Sequence, residues 1–275
     1  MSAPEFDFVR DLVYRKSAIV IETGKEYLVE SRLAPVARAE GFASIDEMVG
    51  QMRSQPSNGL SAKIVEAMTT NETSFFRDTH PFDALKTQIV PALLKARTTR
   101  TIRIWSAACS TGQEAYSIAM TLREHFPELA TWDLQIFCSD LSSVMVARTK
   151  QGIFSEIEVK RGLTAIQLVK YFDREGTEYR AKPILSGLLE CKQINLAEPW
   201  PLLPKFDVVF LRNVLIYFDV PAKKKILASV RNVLAPDGYL FLGTSETTFK
   251  IDEVFRKVMN DKSTYYRLEP TGRCV

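Results

Sequence analysis

Apolar residues recur at near-helical spacing through the first quarter of the chain, at Phe6, Phe8, Val9, Leu12, Val13 and Ile19, then at Tyr27, Leu28, Leu33, Val36 and Ala37. That rhythm predicts amphipathic helices rather than strands. Gly41 closes the second of them, and Ser44 with Glu47 three positions on marks the capped start of a third, which runs into the polar break Ser54-Gln55-Pro56-Ser57-Asn58-Gly59. A fourth helix is expected over residues 60–68. Beyond residue 100 the period changes. Short apolar runs at 101–106, 134–139, 206–211, 239–243 and 263–268 alternate with helical stretches at 112–125, 142–150 and 221–234. Alternation of this kind predicts an α/β fold with a doubly wound, mostly parallel sheet. The turn Ala235-Pro236-Asp237-Gly238 should lead directly into a strand, and residues 178–195, two short apolar runs around Pro183 and Ser186-Gly187, read as an inserted antiparallel β-hairpin. The expected organisation is a small all-helical domain over 1–72 and a sheet domain over 73–275 that carries this β-subdomain.

Composition narrows the function. The chain has 275 residues, 46% hydrophobic and 25% charged, and its 36 basic against 33 acidic residues leave a formal charge of +3. This is too near neutral to suggest nucleic acid as a partner. The helical part is locally basic, with Arg10, Arg15, Lys16, Lys25, Arg32, Arg38, Arg53 and Lys63. Such a run is either an ordinary solvated face or a docking surface for an acidic partner. No apolar run reaches the ~18 residues of a membrane span, and the N-terminus lacks the features of a signal peptide, so a cytoplasmic protein without direct membrane insertion is expected. Cys109, Cys138, Cys191 and Cys274 are scattered without a CxxC pair, and the histidines are His80 and His125. No metal site or disulfide framework is expected, and chemistry that needs no histidine is preferred.

Four segments carry candidate chemistry. In Ile104-Trp105-Ser106-Ala107-Ala108-Cys109-Ser110-Thr111-Gly112-Gln113-Glu114-Ala115-Tyr116-Ser117 a strand passes through a loop of small residues into a helix, where a ligand could approach the backbone. The fingerprint GxGxxG is absent, which argues against NAD. The next strand ends in Asp140, either an acceptor for both hydroxyls of a ribose or the N-cap of the following helix. A third strand releases Arg212 and Asn213 at its carboxyl end, followed by Tyr217. Between helical and sheet domains lies Thr69-Thr70-Asn71-Glu72-Thr73-Ser74-Phe75-Phe76-Arg77-Asp78, a linker by composition, although two adjacent phenylalanines beside an arginine are unusual in one.

Together, and in their order along the chain, these segments resemble the chemotaxis receptor methyltransferase family, CheR, as do the closing Pro236-Asp237-Gly238-Tyr239-Leu240 and Gly243-Thr244-Ser245-Glu246. The resemblance implies a class I, Rossmann-like methyltransferase that moves a methyl group from S-adenosylmethionine to glutamate carboxylates of chemotaxis receptors, leaving S-adenosylhomocysteine. It implies a cofactor pocket of Asn71, Thr73, Arg77, Glu114, Asp140, Asn195, Leu196, Arg212 and Asn213, with Arg77 and Tyr217 nearest the transferred methyl. Its implied partners are the cytoplasmic domains of the receptors, and the hairpin resembles the subdomain that in some members binds a receptor C-terminal tail peptide as an added strand. Two rivals share the fold: a class I methyltransferase for another substrate, and a non-catalytic module that binds the cofactor or its product.

Overall fold

The structure is a computed structural model and describes residues 1–260 and 263–269. Cys274 lies outside them. The chain divides into two compact units, the first of residues 1–70, 195–199 and 217–225, the second of residues 71–194, 200–216 and 226–275.

In the first unit the helical rhythm of the sequence becomes α1 (Ala3–Ser17), α2 (Glu26–Ala39), α3 (Ile45–Ser54) and α4 (Asn58–Met68). Their apolar stripes form one core, with Phe6, Val9 and Val13 from α1, Val29 and Leu33 from α2, Met48 and Met52 from α3 and Ile64 from α4 all buried. Ser44 caps α3 by accepting the Glu47 amide at 3.1 Å, as the spacing predicts. After α1 the chain extends, and Ile19 bridges to Phe218 while the Val20 amide donates to the Tyr217 carbonyl at 2.9 Å.

The second unit is built on β1 (Thr101–Ala107), β2 (Asp133–Asp140), β3 (Ile153–Ser155), β4 (Phe172–Glu175), β5 (Glu178–Ala181), β6 (Leu189–Gln193), β7 (Phe206–Leu211), β8 (Leu234–Leu242), β9 (Phe255–Asn260) and β10 (Ser263–Leu268). Seven of these form a sheet in the order β6-β2-β1-β7-β8-β10-β9. The first five of that order run parallel, and β10 and β9 close it as an antiparallel pair. This is the mostly parallel α/β architecture expected from the alternation of the sequence. Residues alternate between faces. Ile104, Val208 and Phe210 join a core with Ile118 and Leu122 of the helix Gln113–His125, while Trp105 stacks edge-on against Phe137 and Trp200.

Two local expectations need correction. The inserted antiparallel piece is real, but it is the three-stranded sheet β3-β5-β4, whose hairpin turns at Gly176. Of residues 178–195 only β5 belongs to it. Pro183–Ser186 form a helical turn, and β6 pairs in parallel with β2 as an edge of the main sheet. Both readings satisfy the same run of apolar residues, and pairing partners far away in sequence decided between them. The Ala235–Gly238 turn, likewise, lies inside β8 as an irregularity between the pairs Phe206↔Leu234 and Val208↔Tyr239. There Arg97 binds both oxygens of Asp237 at 2.7 Å and reaches Asp207 with Nε at 2.6 Å, a forked pairing for which guanidinium is suited. The neighbouring guanidinium holds the Asp237 carboxyl below its ordinary range.

Candidate active site

Beyond β1 the chain turns through Ala108-Cys109-Ser110-Thr111-Gly112, and Ala108, Ser110 and Gly112 take left-handed φ of 60°, 52° and 100°. For the two non-glycine residues this costs on the order of 1–3 kcal/mol each and requires external support. The Cys109 amide donates to Ser139 O at 2.8 Å, the Ser110 amide to Asp140 Oδ2 at 2.9 Å, and Ser110 Oγ to Asn71 O at 2.7 Å. Gly112 is favoured by its φ, and a Cβ there would also be crowded at 3.2 Å from the Thr149 Cα. Burial first, and the Asp140 carboxylate second, push the Cys109 thiol well above its ordinary range. It packs in the core at 2% exposure, where burial favours the neutral thiol.

Asp140 ends β2 with 6% exposure. Its Oδ1 accepts the Ser142 amide at 3.0 Å, and Ser142 itself caps the helix Ser143–Gln151 by accepting the Met145 amide. The N-cap alternative for Asp140 therefore falls to Ser142. The carboxylate is instead fixed at the carboxyl end of β2, beside the β1 loop.

On the other side of β1, Arg212 follows β7 with its side chain 1% exposed. Its Nη1 donates to Glu114 Oε2 at 3.0 Å, and its Nη2 to Asp78 Oδ2 at 2.7 Å and to the Arg77 carbonyl at 3.0 Å. Ser106 Oγ donates to the second oxygen of Glu114 at 2.7 Å. The Arg212 Nε is buried with no partner among the described residues, an orphan that a bound acceptor would satisfy.

The segment preceding the first helix of this unit is strained. Phe76, Asp78 and Thr79 have φ of 49°, 64° and 34°, so Arg77 is presented between unfavourable backbone conformations. The adjacent phenylalanines explain how this persists. Phe75 is buried edge-on against Phe154 and Phe172 at 5.0 and 5.7 Å, Phe76 meets Phe82 at 5.3 Å, and the Phe76 amide donates to Ser117 Oγ at 2.9 Å. Arg77 Nη1 donates to Glu72 O at 3.0 Å, and Asn71 and Thr73 lie half-buried in the same stretch.

Within the second unit Ser110 joins Asn71 to Asp140, and Arg212 joins the Arg77 carbonyl to Glu114, with Asn213 next to Arg212 in the chain. Asn195, Leu196 and Tyr217 belong to the first unit. There Asn195 Nδ2 donates to Lys16 O at 2.7 Å and its Oδ1 accepts the Ala197 amide at 3.0 Å, while Leu196 is buried. Sequence reasoning singled out neither Asp78, the ion-pair partner of Arg212, nor Glu246, whose carboxylate accepts four backbone amides. Each stands inside a quoted motif, and a carboxylate beside a short polar turn was the available signal.

Comparison with known proteins decides the lineage. Residues 4–69 match the family model described as CheR methyltransferase, all-alpha domain, and residues 71–264 match CheR methyltransferase, SAM binding domain. The chain belongs to the CheR methyltransferase family. This CheR chain is 38% identical over 274 residues to Chemotaxis protein methyltransferase Cher2 of Pseudomonas putida, covering 97% of this chain and 99% of that one. It is 39% identical over 268 residues to Chemotaxis protein methyltransferase 1 of Pseudomonas aeruginosa, covering 96% and 97%, and 36% identical over 267 residues to the Chemotaxis protein methyltransferase of Vibrio parahaemolyticus, covering 96% of each chain. It is a methyltransferase whose cofactor is S-adenosylmethionine.

The donor set of this CheR chain suits that cofactor. A ribose diol calls for a carboxylate acceptor and an amino-acid carboxylate for a cationic donor. The second unit supplies Asp140 and the orphaned Arg212 Nε at the ends of the strands on either side of β1. That is the switch point at which open α/β sheets bind their ligands. No helix among the described residues is long and apolar enough to cross a membrane.

Proposed function

We propose that this protein methylates glutamate side chains on the cytoplasmic domains of chemotaxis receptors, with residues 1–72 as the receptor-facing helical domain and residues 73–275 as the methyl-transfer domain. Asn71, Thr73, Arg77, Glu114, Asp140, Asn195, Leu196, Arg212 and Asn213 would hold the cofactor, and Arg77 together with Tyr217 would also act on the reacting groups. The observation that carries this reading is the site's chemistry. A buried carboxylate and a buried guanidinium flank a backbone loop, with no histidine among these residues and with the loop cysteine held as a thiol.

S-adenosylmethionine, when bound, supplies a methyl group on a sulfonium. The acceptor carboxylate needs no general base, because an ordinary glutamate, with a pKa of about 4.3, is ionised at neutral pH. The work left to the protein is orientation and exclusion of water. Arg77, braced by Phe75, Phe76 and Arg212, offers a planar fork that can hold one oxygen of the substrate carboxylate while the other reacts. Its charge would stabilise the ground state as well, so its contribution is position. Tyr217 contributes a hydroxyl that orients the acceptor.

Incubation with labelled cofactor and a purified cytoplasmic receptor fragment should give base-labile methanol, the signature of a carboxyl ester. Label that stays bound through base treatment would overturn the glutamate assignment. Tyr217→Phe is expected to lower turnover by about 10- to 100-fold with cofactor affinity within about threefold of the parent. Single-turnover methylation beside calorimetry measures both.

For receptor recognition, the basic residues of the helical domain divide. Arg10 pairs with Asp7, Lys63 with Glu40, Arg32 donates to the carbonyls of Met68 and Thr69, and Arg53 donates to Pro4 O and lies over the Phe8 ring. Arg38 is exposed and forms no ion pair among the described residues. Arg38→Glu is expected to slow receptor methylation by about tenfold, through weaker encounter with acidic receptor helices, and to leave cofactor affinity unchanged. Undiminished methylation at low salt would remove Arg38 from the docking surface.

A further inference from the structure

Glu246 is a buried carboxylate, 9% exposed, that forms no ion pair among the described residues. Its charge is met by backbone. Oε1 accepts the amides of Val214 at 2.8 Å and Ile216 at 3.3 Å, and Oε2 those of Asn213 at 2.8 Å and Gly243 at 2.6 Å. Three of the four donors, Asn213, Val214 and Ile216, lie between Arg212 and Tyr217, and the fourth, Gly243, directly follows the neighbouring strand β8. One side chain therefore ties together the chain leaving two adjacent strands, as a charge-assisted hydrogen-bond clamp. Asn213, at φ 57°, is the strained residue the clamp stabilises.

Gly243 is part of the same device. A Cβ there would lie 2.8 Å from both Glu246 Oε2 and Asn213 Nδ2, and 2.9 Å from the Asn213 amide nitrogen. Only a residue without a side chain lets the strand end approach the clamp this closely.

We infer that Glu246 is a positioning residue for methyl transfer, which fixes the path of residues 213–216 and thereby the placement of Tyr217, the next residue in the chain. The inference rests on the role proposed for Tyr217. Among the described residues the hydrogen bonds of the Glu246 carboxylate all come from backbone amides. It also lines a cavity of about 150 Å³ together with Asp78, Arg212 and Gly243. Of the four amide donors Gly243 borders this cavity, where water can reach an amide released by a substitution. A kinetic defect is expected in place of a failure to fold.

Glu246→Gln is the primary test. Glutamine keeps one acceptor oxygen and turns an NH₂ group toward one pair of amide donors, so half the clamp is lost. Turnover on the receptor fragment should fall about tenfold or more, with cofactor affinity and melting temperature close to the parent. Gly243→Ala should reproduce the defect without removing a charge, and Glu246→Asp should recover part of the activity. The decisive readout is the pair with Tyr217→Phe. If Glu246 acts through Tyr217, the double variant falls no further than the worse single variant, whereas independent roles multiply. Multiplying losses, or a fully active Glu246→Gln, overturn the inference while leaving the tyrosine role intact. A fully active Tyr217→Phe instead removes the tyrosine role, and this inference with it.

Discussion

Arg212→Met is expected to destabilise the protein by about 3–5 kcal/mol, the usual consequence of removing one partner from a buried ion pair. The guanidinium is almost wholly buried and is shared between Glu114, Asp78 and the Arg77 carbonyl. Methionine fills much of the volume but leaves two carboxylates facing a space from which their counter-charge has gone, and Glu114 is only 13% exposed. Arg212→Lys should recover little, since an ammonium lacks the fork that serves three acceptors at once. The loss should also reach the site, because Arg212 is one of the few restraints on the strained stretch from Phe76 to Thr79. Urea unfolding monitored by fluorescence measures the first effect. A destabilisation below about 1 kcal/mol would mean that water takes over the guanidinium's role and that the network is not the brace described above.

Asp140→Ala is expected to weaken cofactor binding by about 100-fold, measured by calorimetry. Hydrogen bonds to a charged group contribute roughly 1.5–3 kcal/mol each, and the variant would lose the acceptor proposed for the ribose hydroxyls. A second effect acts in the same direction. The carboxylate also receives the amides of Ser110 and Ser142, so its removal frees the β1 loop at one of its left-handed residues. Asp140→Asn, which keeps one acceptor oxygen, should fall between the parent and alanine. A dissociation constant within about threefold of the parent in the alanine variant would place the ribose elsewhere.

Much of the architecture is legible from local pattern alone. The helical stripe of residues 6–37, the cap at Ser44 and the five apolar runs that became β1, β2, β7, the end of β8 and β10 each depend on side-chain periodicity and turn chemistry, which neighbours in the chain determine. The failures have one cause. Whether residues 189–193 turn back on β5 or extend the main sheet beside β2 depends on partners some fifty positions away, and no local preference separates the two. Asp140 is a different case, because its sequence context leaves the cap and the ligand role both open, and Ser142, close by in the chain, takes the cap.

For the site, the identity and order of the motif residues were sufficient to reveal the family. Sequence by itself thus determined the helical and α/β regions, the cofactor class and the candidate groups. What tertiary structure alone decided is how those groups are held: Arg77 on a strained segment anchored by two phenylalanines, Arg212 shared among three acceptors, and Glu246 gripping four amides from two strand ends. Each arrangement joins stretches far apart in the chain, by 30 positions for Glu246 and Ile216 and by 135 for Arg212 and Arg77. Burial and hydrogen bonding over such separations arise only when the sheet brings the ends of its strands side by side.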